Sequence, residues 1–350
     1  MQTLKECCAD IGTINVRMRE LVQARLDSLT KPPGSLGRLE ELAKQLAEIQ
    51  NTEFPRAAKK LVLVMAADHG ICEEGVSAYP SAVTAQMVRN FSTGGAAINV
   101  LVRHASANVL VVDMGVAGPI DGNGHLDRRI ADGTRNFLHG EAMSQEQALR
   151  CLETGISIAE EAAANQIDLI AGGDMGIGNT TSSSVITALV TRSSPEQVVG
   201  RGTGIGDDGL ERKRRVVTEA IRLHSGWQDG VDLLRRVGGF EIGGLAGLML
   251  GAARHRIPII LDGFIATAAA LIAAEICPLT KFYMIAAHCS AEPGHVAAQQ
   301  HLGLEPLLRW NMRLGEGTGA ALVFPLIEAA CKILAEMATF QSAAVSGRLA

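Results

Sequence analysis

The chain is poor in aromatic residues: Phe, Trp and Tyr together make up 3% of its 350 residues. A core with so few rings must be filled by Ala, Val, Ile and Leu. The 38 glycines add much special backbone geometry between elements, and the combination favours α/β over an all-β sandwich. Charge is scarce too. The net value is -5 with a pI near 6.0, and the densest basic run, Arg212 to Arg215, is short and helical in pattern, so no electrostatic footprint for nucleic acid exists. The cysteines, Cys7, Cys8, Cys72, Cys151, Cys277, Cys289 and Cys331, show no C-x-x-C or C-x-x-H spacing. That pattern reads as reduced, mostly buried thiols of a cytoplasmic protein. Apolar runs such as 263–274 stop short of the roughly 20 residues a membrane span needs, and MQTLKECCADIG at the N-terminus lacks the apolar centre of a secretory signal. His69, His288 and Cys289 lack metal-ligand spacing, so hydrogen-bonded loop histidines are the better reading and no metal or cofactor is expected. A nucleophile elbow G-x-S-x-G is missing as well.

What is present is 47% hydrophobic side chains with a mean hydropathy of +0.18, ample for a large soluble core. Residues 13–29 and 36–49 carry helical spacing, broken by Lys31-Pro32-Pro33-Gly34. LVLVMAADHG (61–70) then reads as a buried parallel strand ending in polar residues and glycine. The same grammar recurs at 108–115, 167–174, 257–263 and, more weakly, 281–290, each followed by a helical pattern. These strands predict an open, mostly parallel, Rossmann-like sheet of about six strands with right-handed crossovers, one strand unplaced. A long helical pattern from Gly317 to about Phe340 carries Glu328, Lys332 and Glu336 on one face. It is expected to join the N-terminal helices in a small helical subdomain (1–30 with 326–350) beside an α/β catalytic domain (31–325).

In such sheets the ligand crevice lies beyond the carboxyl ends of the strands, which here carry Asp68-His69, Asp113, Asp174, Asp262 and His288 to Ser290. Any one of these acids taken alone is also an ordinary turn former. AGGDMGIGNTTSSSVI (171–186) runs from a strand end through glycines into a helix whose first turn is hydroxyl-rich. Backbone N–H groups and the helix N-terminus there suit a phosphate. Neither the G-K-[ST] ending of a Walker loop nor the order G-x-G-x-x-G is found. A second glycine loop, GRGTGIGDD (200–208), leads into a helix where Lys213 lies about one turn in, within reach of a bound anion. RLGEGTGAAL (313–322) sets one acid, Glu316, among glycines and apolar residues. Desolvation there should raise its proton affinity, which makes it a candidate base or simply a helix start. Together these features suit transfer of a phosphate-bearing group to a neutral, apolar acceptor, with Glu316 taking the acceptor's proton.

The stretches KPPGSLGRLE (31–40), MAADHGI (65–71), GGAAINVL (94–101), GDMGIGNTTSSS (173–184), VGGFEIGGLAGLMLGAA (237–253), PIILDGF (258–264), HCSAEPGH (288–295) and RLGEGTGAAL resemble, in order, the nicotinate-nucleotide:dimethylbenzimidazole phosphoribosyltransferases of cobalamin lower-ligand assembly. The resemblance implies transfer of 5-phosphoribose from nicotinate mononucleotide to 5,6-dimethylbenzimidazole, with Glu316, the glutamate of the L-G-E-G motif, as general base. It implies phosphate and ribose contacts at Asp174, Gly176, Gly178, Asn179, Thr180, Gly202, Gly204, Lys213 and Ser290. An aryl-base pocket is implied at Tyr79, Gln86, Met87 and Leu314, and the glycines beside Glu316 read as clearance for a flat ring. The family pattern often has glutamate where this chain has Asp174. Partners implied are the two small-molecule substrates and a second copy in a homodimer, with no nucleic acid and no membrane. Two other readings stay open: a Rossmann-type oxidoreductase, and a catalytically silent, ligand-binding homologue.

Overall fold

A computed structural model describes residues 3–120 and 122–346. Six strands form one parallel sheet: β1 (Lys60–Ala67), β2 (Asn108–Gly115), β3 (His125–Asp127), β4 (Leu169–Met175), β5 (Ile259–Leu261) and β6 (Met284–Ala286), in the spatial order β3-β2-β1-β4-β5-β6. The order reverses between β1 and β4, where neighbouring crossovers run to opposite faces and open a crevice at the carboxyl edge. The previously unplaced strand is β3, which pairs Val111 with His125 and Asp113 with Asp127.

Strand β1 shows how the period of two builds three layers. Val62, Val64 and Ala66 point into one core, whereas Leu63, Met65 and Ala67 point into the other. The first core is covered by α2 (Arg17–Ser28), α3 (Arg38–Gln50), α4 (Ala82–Ser92), α5 (Ala97–His104) and α14 (Thr318–Glu336). The second is covered by α1 (Leu4–Asp10), α6 (Gln145–Ala164), α7 (Asn179–Thr191), α8 (Pro195–Val198), α9 (Asp207–His224), α10 (Gly230–Val237), α11 (Phe240–Arg254), α12 (Phe264–Ile276) and α13 (Gly294–Leu302). Small residues permit the closest approach. A Cβ on Gly155 of α6 would lie 2.0 Å from the Gly244 carbonyl oxygen of α11, and one on Gly247 would lie 2.0 Å from that of Leu152.

The two last strands are shorter than the apolar runs that announce them. β5 holds only Ile259 to Leu261, because the Asp262 carboxylate turns away to bind backbone amides of α14. β6 holds only Met284 to Ala286, since Pro278 to Tyr283 wind as a 3-10 helix. Among the described residues one helix, α14, is long and apolar enough to cross a membrane by length and composition. Here it lies against α3, α5 and the strands β1 and β4, and Glu328 on it pairs with Lys60 and with Lys332. Beyond it, Leu29 forms an isolated antiparallel bridge with Thr339, tying α2 to the end of the described chain.

Candidate active site

A cavity of about 480 Å³ opens at the carboxyl edge of the sheet. At one end it is lined by polar backbone and hydroxyls. Strand β4 delivers Asp174, the turn after it delivers Gly176 and Ile177, and the first turn of α7 delivers Asn179 and Thr180. Gly202 and Thr203 close the wall from the second glycine loop, and Ser290 closes it from the loop after β6. The helix N-terminus and the loop amides make this end suited to an anion.

Lys213 stands behind that wall. It is fully buried, and its Nζ donates to Thr180 Oγ1 at 2.8 Å. Burial pushes its ammonium down to about 8, while the Glu292 carboxylate works the other way. Gly202 has φ +50, and a Cβ there would press within 2.7 Å of Thr180 Oγ1 and 3.2 Å of Lys213 Nζ, so glycine at that position keeps the cation close to the loop. Its N–H donates to Glu292 Oε1 at 3.0 Å, and its carbonyl accepts from Arg313 at 2.7 Å. Arg313 thereby joins the anion end to the segment that carries Glu316.

The other end of the cavity is apolar at its lip, where Tyr79, Val83, Met87 and Leu314 surround an opening. Tyr79 is 56% and Leu314 58% exposed. Glu316 sits below them, 6% exposed and lining the cavity. Burial raises its pKa above the usual carboxylate value, opposed by a single long hydrogen bond, 3.4 Å, from the Ile98 N–H at the start of α5.

Glu316 and its flanking glycines adopt left-handed backbone in succession: Gly315 at φ +81, Glu316 at +62 and Gly317 at +85. For a residue with a Cβ that conformation costs on the order of 1–3 kcal/mol and persists only where its surroundings impose it. The flanking glycines adopt that conformation without such a cost. Gly317 is the N-cap of α14 and packs so that a Cβ would meet Val62 Cγ1 at 2.5 Å, while Gly315 faces the Asp174 carboxylate. The turn itself requires them.

Asp174 accepts from Asn179 Nδ2 at 2.9 Å, and its Oδ1 is buried without a hydrogen-bond partner. Burial, and then the nearby carboxylates Asp262, Glu241 and Glu316, hold its proton far above the ordinary range for an aspartate.

Several residues named from the sequence lie elsewhere. Gln86 is exposed on α4, beside Val83 and Met87, whose i, i+4 spacing faces the cavity. Gly204 is exposed and outside the lining. Gly178 is outside it too; at φ +98 it turns the chain into α7 against Cys72 Sγ, to which a Cβ would come within 2.6 Å. Two of the strand-end acids are turn formers: Asp68 accepts from Ala117 N–H, and Asp113 accepts from Gly115 and Val116 N–H groups while pairing with Arg129. Conversely, Phe264 and His288, with Glu292 and Arg313, line the cavity. A buried acid directly before Pro293, in an otherwise small-residue loop, is the signal that points to Glu292.

Among the described residues, no three His, Cys, Asp or Glu side chains gather as a metal ion would require. A phosphoribosyltransferase family profile matches residues 11–345. The nicotinate-nucleotide–dimethylbenzimidazole phosphoribosyltransferase of Chloroflexus aurantiacus is 51% identical over 351 aligned positions, spanning 100% of both chains. The protein of the same name from Roseiflexus sp. strain RS-1 is 53% identical, over 100% of this chain and 99% of its own. Among solved structures, CobT from Thermus thermophilus superposes with a TM-score of 0.91 at 47% identity, covering 95% of this chain and 100% of that one.

Proposed function

The chain belongs to the nicotinate-nucleotide–dimethylbenzimidazole phosphoribosyltransferase family, and from that premise we propose that it moves 5-phosphoribose from nicotinate mononucleotide to 5,6-dimethylbenzimidazole. The products are α-ribazole 5'-phosphate and nicotinate. One imidazole nitrogen forms the new bond to C1' of the ribose. The bond from C1' to the pyridinium nitrogen breaks, its electrons return to that ring, and the configuration inverts from β to α. The proton on the other imidazole nitrogen passes to Glu316.

The observation that carries this reading is the placing of the Glu316 carboxylate on the wall of the same cavity that the glycine loops and the start of α7 line. Its raised proton affinity suits a base that works near neutral pH. The phosphate is assigned to Gly176, Asn179, Thr180, Gly202 and Ser290, with Lys213 adding charge through Thr180. The ribose lies beside Asp174, and the acceptor ring lies between Tyr79, Met87 and Leu314. A pyridinium leaving group needs no neutralising cation of its own, because it departs neutral at the ring nitrogen. Orientation of the two rings supplies most of the remaining acceleration.

The oxidoreductase alternative lacks its anchor. β1 is followed by Asp68-His69 and a 3-10 turn from Gly70, with no glycine fingerprint for a dinucleotide. A silent homologue would lack the base, and Glu316 is in place. Within the same proposal the enzyme is a cytoplasmic homodimer, which light scattering checks against twice the chain mass of 36.9 kDa. Residues 1–30 and 326–350 are assigned to a helical brace on a catalytic domain at 31–325, with α2 and the end of α14 as its centre; residues 1–2 and 347–350 lie outside those described. Incubation with nicotinate mononucleotide and dimethylbenzimidazole should release nicotinate. Absence of release, or full release by Glu316→Gln, would overturn the mechanism.

A further inference from the structure

Asp262 is 1% exposed at the end of β5 and does not line the cavity. Its two oxygens are spent on the segment that follows Glu316: the Gly317 N–H donates to Oδ2 at 3.1 Å and the Ala320 N–H donates to Oδ1 at 3.0 Å. The Gly319 N–H faces the same carboxylate. These amides open α14, where intrahelical partners do not exist and some other acceptor must serve. The N-cap of α14 is Gly317, which has no side chain to offer. The cap therefore comes from another strand of the sheet.

The same carboxylate lies under the left-handed turn of residues 315–317, whose central residue has a Cβ and gains nothing from that conformation on its own. Around the turn the packing is close. A Cβ on Gly319 would lie 2.1 Å from the His288 ring, and one on Gly173 would lie 2.4 Å from the Glu316 carbonyl. Packing limits where the turn can go, and Asp262 supplies the polar contact that fixes it there.

The geometry points to Asp262 as a positioning residue for the transfer: by capping α14 it holds the Glu316 turn in the one shape that presents the carboxylate to the cavity. This rests on Glu316 being the base. Both oxygens must accept, so the role needs a carboxylate rather than an amide. In Asp262→Asn one N–H of α14 meets an NH2 donor, and the turn loses a bond at the place where it is most constrained. Displacement of a reacting group by about 1 Å can cost about 10²-fold in rate.

The test is a kinetic cycle on the full chain with nicotinate mononucleotide and dimethylbenzimidazole. Asp262→Asn should lower kcat by about 10- to 100-fold, while KM and calorimetric affinity for nicotinate mononucleotide stay within about twofold. Combined with Glu316→Gln, it should be no slower than Glu316→Gln alone, since a residue that acts through the base has nothing left to position. Asp262→Ser, which keeps one acceptor and whose O–H can rotate away from the α14 amides, runs the same cycle with a smaller loss if the Asn variant does not fold. The inference is overturned if kcat is unchanged, if nicotinate mononucleotide affinity falls as far as kcat, or if the losses of Asp262→Asn and Glu316→Gln multiply. Full turnover by Glu316→Gln would instead remove the base assignment itself, whatever Asp262 does.

Discussion

Two buried glutamates in this molecule stand in nearly the same sequence setting. Glu316 lies in LGEGTG and Glu241 in GGFEIGG, each the lone acid among glycines and apolar residues. The structure treats them oppositely. Glu241, fully buried at the start of α11, is 2.6 Å from His69 Nε2 and lines no part of the cavity. Burial works against a charged ring at His69, but the Glu241 carboxylate overrides it, so the imidazole titrates above its ordinary value. Glu316 has only the long contact with the Ile98 amide, and the cavity on its open side. Both carboxylates are withdrawn from solvent; what separates a base from a strut is whether a partner already occupies the carboxylate. A desolvated acid with a dedicated donor is structure, and one with an unfilled side facing a ligand space is chemistry.

The comparison breaks most sharply at Glu316. Glu316→Gln should lower kcat by about 10²–10⁴-fold, the span of a positioned base, with little change in affinity for nicotinate mononucleotide by calorimetry. Next in size comes the cation that serves the anion end. Lys213→Met should raise KM for nicotinate mononucleotide by about 10- to 100-fold, as loss of a charge-assisted contact worth about 1.5–3 kcal/mol predicts. Steady-state kinetics at saturating acceptor would show it.

Glu241→Gln should act on the fold instead. Loss of the charged partner leaves His69 under-bonded and costs about 1–3 kcal/mol in urea unfolding, with kcat per folded molecule near the wild-type value. A kcat loss as deep as that of Glu316→Gln would erase the distinction between the two acids. The smallest effects are in pH. Because the folded-state pKa of His69 is raised, the stabilisation from its pair is fully present below the ordinary value of 6.5 and is lost as pH rises through the higher folded value. The stability gap between wild type and Glu241→Gln should therefore narrow from pH 6 towards alkaline pH. The acid limb of kcat should lie above the 4.5 of a free glutamate and vanish in Glu316→Gln, which a pH series of initial rates would show.

The sequence exposed much of the sheet, because a strand buried on both faces is a run of β-branched and aliphatic residues and β1, β2 and β4 are such runs. β3 escaped notice: His125 to Asp127 contain one apolar residue and are strand only by pairing with β2. At the site, the glycine loops and Glu316 were legible because their local chemistry is unusual. Asp68 and Asp113 were indistinguishable in sequence from Asp174, since all end strands, and only the fold shows which of them turn to their own loops. Gln86 illustrates the same limit on a helix, where one step along the chain rotates a side chain by about 100° and exchanges solvent for the cavity. The pairing of Glu241 with His69 spans 172 residues, a separation that no periodicity can report.

Gly173 carries a further consequence. Its backbone packs directly on the Glu316 carbonyl, so strand β4 and the base-bearing turn meet with no side chain between them. An alanine there, which a strand would ordinarily tolerate at modest cost, would displace the catalytic turn itself. The junction of β4 with that turn is thus written in backbone, and its tolerance to mutation is correspondingly low. The apolar lip of the cavity is written in side chains, Tyr79, Val83, Met87 and Leu314, on a helix face and in loops with solvent beside them. The proposed placement of the acceptor puts the productive library for new bases at that lip, and substitutions along β4 are the ones to leave out.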